Sequence, residues 1–170
     1  MASFKELFEI GQSYQDFVRG GVASEVLAIN TIEKRISAEG SISRQTRQRL
    51  AAIEGHYHLL VAGEMWCPDC HVNIPAFYAM CQMQPKLTMA IISKGRAEDD
   101  LQQRLTLDKV LVPVVAVLDS EYRLIGKYVE RPNVVVQQGT AEVLADYKAG
   151  KYIEESISDV INIIYAAESR

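Results

Sequence analysis

No apolar run in this 170-residue chain approaches the roughly 18 residues that a membrane-spanning helix needs, so no membrane partner is expected. The opening stretch, MASFKELFEIGQSYQDF, sets acidic residues among its apolar ones and has no uninterrupted hydrophobic core, which excludes a secretory signal. A cytoplasmic location is the resulting expectation. Positive charge is scarce as well: 18 Lys and Arg face 22 Asp and Glu, a net charge of −4. That balance argues against nucleic-acid partners, which require clustered cations to displace counterions. The one basic cluster, RQTRQR at 44–49, reads as the solvated face of a helix. Three cysteines are too few for a disulfide framework, and in a reducing compartment a close pair is catalytic or metal-binding more often than structural.

What is present suits one ordinary domain. Apolar residues make up 48% of the chain, and 170 residues are ample for a single core. The first fifth reads as helix: Phe4, Leu7, Phe8, Tyr14, Phe17 and Val18 recur at three- and four-residue steps as a core-docking stripe, Ser3 and Glu6 form a capping box, and RGG at 19–21 ends the run. Further helices are expected at 24–38 and 43–54, with no strand before residue 57. From there the pattern becomes β–α–β–α–β–β–α. YHLLVAG at 57–63 and KLTMAIIS at 86–93 are buried strands, and AEDDLQQRL at 97–105 is a helix with acidic residues in its first turn. VPVVAVLD and RLIGKYVE flank SEY as a hairpin, and two closing helices cover about 133–148 and 153–167. The expected division is a helical extension over 1–56 and an α/β unit over 57–170.

The informative stretch is GEMWCPDCHVNIPAF, residues 63–77. A strand gives way to a helix here, which puts Cys67 near a helix N-terminus, where unpaired amides and the macrodipole favour a thiolate. Pro68 suits the first helical turn because it has no N–H to orphan. Cys70 lies one turn on, so Cys67 can attack a disulfide and Cys70 can resolve the mixed disulfide. Asp69 opposes the thiolate charge and is expected to raise the Cys67 pKa, whereas a protonated His71 pulls the other way. Two other readings stand beside the dithiol. CPDCH satisfies a haem-attachment pattern, but such attachment accompanies export, and no signal precedes it. Zinc needs four ligands, and beyond the pair only Cys81, His56, His58 and His71 remain. Cys81 lies roughly 16 Å along the helix from Cys70 at ~1.5 Å per residue, beyond disulfide reach, and reads as an apolar filler.

Taken with Trp66, Pro75 five residues after the second cysteine, and Val112-Pro113 opening a later strand, these residues resemble the thioredoxin superfamily over about 57–130. The flanks are similar to a bacterial thioredoxin-like subgroup with helical additions and a WCPDC site. The resemblance implies an α/β thioredoxin-like fold: a central mixed four-stranded sheet flanked by helices, lacking the usual first strand, with an N-terminal helical extension. It implies a thiol-disulfide oxidoreductase with Cys67 as nucleophile, Cys70 as resolver, and Trp66, Val112 and Pro113 positioning substrate. No cofactor need be bound. The partners would be a disulfide-containing protein or small thiol, with a reductase or low-molecular-weight thiol as electron donor. The family's buried acid, six residues before the first cysteine, is replaced by Val61, so Glu64 or Asp69 would have to manage the resolving proton. Together with the helical additions, that replacement leaves a second reading, a non-catalytic or regulatory protein-binding module on the same fold. Arg131 is expected to pair with an acid near the last strand.

Overall fold

A computed structural model describes residues 1–170. Its elements are α1 (Phe4–Ile10), α2 (Tyr14–Arg19), α3 (Ala23–Ser37), α4 (Arg44–Ala51), β1 (Tyr57–Ala62), α5 (Pro68–Met83), β2 (Leu87–Ile92), α6 (Lys94–Asp100), β3 (Val114–Leu118), β4 (Leu124–Val129), α7 (Asn133–Gln138), α8 (Ala141–Lys148) and α9 (Ile153–Glu168). The four strands form one mixed sheet in the order β2-β1-β3-β4. β1 runs parallel to β2 and antiparallel to β3, and β3 and β4 form the hairpin. This is the α/β thioredoxin-like architecture that the sequence implies.

The apolar runs explain which strands are central. Every residue of β3 and all but His58 of β1 are buried, as strands covered on both faces must be. α5 and α9 pack on one another and on the sheet, while α1 and α6 rest on β1. α3 and α4 lie outside α5, so the helices of residues 1–56 share one apolar core with the sheet. No strand precedes β1, but Gln12 exchanges two backbone hydrogen bonds with Ile91 of β2, at 2.7 and 2.9 Å. This lone bridge stands where a first strand would lie.

Several boundaries differ from expectation. The first helix is two, because the chain extends from Gly11 to Ser13 to make that bridge; Ser13 then caps α2 through the Asp16 N–H. The third helix stops at Ala51 rather than 54. α6 begins three residues early, since Ser93 caps it through Arg96 N–H, and Glu98, Asp99 and Asp100 therefore sit at its C-terminal end rather than in its first turn. The helix expected over 133–148 is broken by Gly139 in the left-handed conformation (φ 59°), after which Thr140 caps α8.

Candidate functional site

β1 ends at Ala62 and α5 starts at Pro68, so Cys67 is the residue that caps α5, with Pro68 at its first position. The three cysteines are free thiols. Cys67 keeps 5% of its surface exposed and Cys70 none. Their environments push their pKa values apart. The neighbouring Cys70 thiol is the main reason that the Cys67 pKa is lowered to about 7; burial opposes this, and the amides of Cys70 and Asp69 at the helix start assist it. The same interaction, followed by burial, pushes Cys70 far above the ordinary thiol range. The proton is thus held on the inner sulfur and released from the outer one, the division of labour that disulfide exchange needs. Asp69 opposes the Cys67 thiolate, but its effect is smaller than that of the Cys70 thiol.

The loop before β3 closes over the pair. The Cys67 thiol donates to the Val112 carbonyl at 3.4 Å, and the Val112–Pro113 peptide bond is cis. Val112 is buried, whereas Trp66 is 59% exposed beside the nucleophile. Glu64 meets Cys70 through its backbone: its N–H donates to Cys70 Sγ at 3.5 Å. The Glu64 carboxylate is engaged elsewhere, accepting from Lys94 N–H at 2.9 Å at the start of α6. His71 turns its Nε2 to the Met65 carbonyl and is not among the groups that shift Cys67. Pro75 lies inside α5 and is buried. Cys81 is half-buried on the same helix, where burial pushes its pKa to about 12. No three His, Cys, Asp or Glu side chains are grouped to hold a metal ion. His58 lies in β1, stacked on Tyr122 at 4.2 Å between ring centroids.

Behind the dithiol is a buried polar network that extends well beyond the expected Arg131 ion pair. Asp69 Oδ1 accepts from Arg131 Nε at 3.0 Å and from the Tyr147 hydroxyl at 2.8 Å. Asn73, with no exposed surface, donates from Nδ2 to the Tyr147 hydroxyl at 2.7 Å and to the Asp69 and Glu130 carbonyls at 2.9 and 3.0 Å. Its Oδ1 accepts from Tyr128 and Ser156, each at 2.7 Å. The members come from α5, β4 and its end, α8 and α9. Arg131 pairs with an acid beside the last strand, Glu130 at 3.5 Å, and more closely with Asp69 between the two cysteines. Beyond Asp69 and Arg131, only Asn73 carried a sequence signal, as a polar residue in the apolar run after the cysteines.

A thioredoxin family model matches residues 11–146. The 1.5 Å crystal structure of a protein of unknown function, PA1234 from Pseudomonas aeruginosa, is 48% identical, covers 98% of this chain and 99% of its own, and superposes with a TM-score of 0.94. The crystal structure of an HIV epitope-scaffold is 44% identical over 97% of this chain and 99% of that one, with a TM-score of 0.93. No curated protein matches the sequence. The match to the family model spans the paired cysteines and the loop before β3 and reaches into the N-terminal helices: this chain belongs to the thioredoxin family.

Proposed function

We propose that the protein is a thiol-disulfide oxidoreductase that reduces disulfides through Cys67 and Cys70. The observation that carries this reading is the placement of the two thiols: Cys67 caps the start of α5, where its pKa is lowered to about 7, and Cys70 lies one turn on, completely buried and held protonated. The Cys67 thiolate attacks one sulfur of a substrate disulfide, the S–S bond breaks, and one substrate thiolate leaves. Cys70 gives up its proton and attacks Cys67, expelling the second substrate thiolate and closing the Cys67–Cys70 disulfide. Two electrons from a reductase or a low-molecular-weight thiol reopen it. Trp66 walls the groove, and Val112 and Pro113 position an extended substrate. Pro68 and Asp69 tune the pair with the Glu64 backbone, while His71 is held on the Met65 carbonyl. No bound cofactor is needed, and the site of action is the cytoplasm.

Insulin reduction driven by dithiothreitol tests this. Turnover is expected for the wild type and loss of it for Cys67→Ser, with a reversible two-electron transition when the pair is titrated against glutathione. A second reading draws on the near-complete burial of Cys67 and on apolar Val61 at the position of the family's acid: a binding module that presents the fold without turnover. Wild-type protein that leaves insulin intact while its pair stays reduced throughout the glutathione titration would favour the module.

A further inference from the structure

The acid inside the WCPDC motif does not face solvent freely. Its side chain is 14% exposed, and one of its carboxylate oxygens takes both the Arg131 guanidinium and the Tyr147 hydroxyl. Each clamp residue is itself held. Arg131 follows Glu130, whose backbone is in the left-handed region (φ 63°), and the Arg131 N–H reaches back to the Val129 carbonyl at 2.7 Å, a γ-turn bond that swings the chain from the end of β4 toward α5. The guanidinium also stands 5.8 Å over the Tyr147 ring. Tyr147 is completely buried, and its hydroxyl accepts from Asn73 while donating to Asp69. Strained backbone and a satisfied buried network have thus been assembled around one carboxylate, and that carboxylate lies between the two thiols in sequence.

Resting on the dithiol reading above, we propose that Arg131 and Tyr147 are positioning residues for the redox pair, acting through Asp69: they fix its carboxylate and offset its charge, and so set how strongly that charge opposes the Cys67 thiolate. A carboxylate between two exchanging sulfurs would otherwise disfavour the nucleophile. The other charged or titratable groups around it are Glu64 before the motif, His71 on α5, Glu130 beside Arg131, Tyr128 in β4, and Lys109 and Asp159 farther out. None of these donates to the Asp69 carboxylate, which takes its hydrogen bonds from Arg131 and Tyr147. The C-terminal addition therefore does more than cover the sheet, since α8 supplies one of the two donors.

The test is a double-mutant cycle read on the fully reduced protein as the pH profile of Cys67 alkylation by iodoacetamide, with the labelled residue assigned by mass spectrometry. Arg131→Gln is expected to move the midpoint upward, slowing alkylation at pH 6 by about three- to tenfold, where tenfold corresponds to one pKa unit. Tyr147→Phe is expected to move it the same way by less, and Arg131→Lys to restore most of the rate. In an Asp69→Asn background, Arg131→Gln should produce less than a third of its original shift. An equal shift in both backgrounds, or none in either, overturns the proposal, because Arg131 would then act directly or not at all. Should Arg131→Gln fail to fold, Tyr147→Phe with and without Asp69→Asn gives the same comparison. No substrate enters the measurement, so an intact cycle in a protein that never reduces insulin would count against the enzyme reading alone.

Discussion

The Tyr128 hydroxyl donates to Oδ1 of Asn73 at 2.7 Å, three residues beyond Cys70 and out of reach of water. Asn73 uses both ends of its amide, so deleting it strands partners on three elements, whereas Tyr128→Phe leaves Oδ1 still bonded by Ser156. A buried polar group left without a partner costs about 1–3 kcal/mol. Asn73→Ala is expected to lower the unfolding free energy by about 2–4 kcal/mol, and Tyr128→Phe by about 1 kcal/mol, in urea titrations of the reduced protein. Equal losses would mean that Asn73 matters for its volume and not for its amide.

How much of this was legible follows the range of each signal. Period-two and period-three-to-four patterns are local, and they located all four strands and the helix that carries the cysteines. Cys67 at the cap and Pro68 at the first turn could be read because strand-to-helix junctions have local chemistry. The breaks at Gly11–Ser13 and Gly139 were missed because apolar spacing continues across them, while a bridge to Ile91 and a left-handed glycine decide the backbone. Arg131, Tyr147 and Ser156 lie 62, 78 and 83 residues from their partners in α5, and nothing local marks one tyrosine among eight. The same limit applies to Glu64: its side-chain partner, the Lys94 amide, becomes visible only once α6 is placed.

The Cys67 pKa makes a pH prediction with a definite sign. In the folded protein it lies at about 7, and in the unfolded chain near about 8.5. Between those values the native state has released a proton that the unfolded state still holds, so Cys67 adds stability as pH rises from about 7 to about 8.5 and loses it as pH falls through about 7. Cys70, held protonated, works against folding only above the ordinary thiol range. The difference in unfolding free energy between reduced wild type and Cys67→Ser should therefore grow between pH 6.5 and 8.5. Cys70→Ala removes the neighbouring thiol that lowers the Cys67 pKa, and the alkylation midpoint should climb toward that of a free thiol. A midpoint that stays near 7 in Cys70→Ala would assign the acidification to the helix amides.

Glu155, in the first turn of α9, has its Oε2 buried with no hydrogen-bond partner, and burial raises its pKa. A raised carboxyl pKa means that the native state binds the proton more tightly than the unfolded chain, so this group withdraws stability as pH climbs through the carboxylate range. Glu155→Met, which keeps the length and removes the charge, should raise the thermal midpoint at pH 7. The gain should shrink toward pH 4, where the wild-type carboxyl is protonated too. Thermal scans of both proteins at the two pH values check this, and a gain independent of pH would point to packing instead of charge.

Glu130 is the residue whose side chain and backbone ask for different things. Its φ of 63° lies in the left-handed region, where a Cβ is crowded, yet its N–H donates to the Pro113 carbonyl at 2.7 Å and its carbonyl accepts from Asn73. The backbone bonds hold the conformation, and the carboxylate adds only a partly exposed 3.5 Å contact with Arg131, of the kind worth about 0–1 kcal/mol. Glycine occupies this region freely, so Glu130→Gly should leave the unfolding free energy within about 1 kcal/mol of wild type, relief of strain offsetting the lost contact and the looser unfolded chain. A β-branched residue cannot adopt the turn without strain, and Glu130→Val should cost about 2 kcal/mol. Urea titrations of the two variants side by side separate backbone from side chain: if glycine proves as damaging as valine, the carboxylate carries the turn.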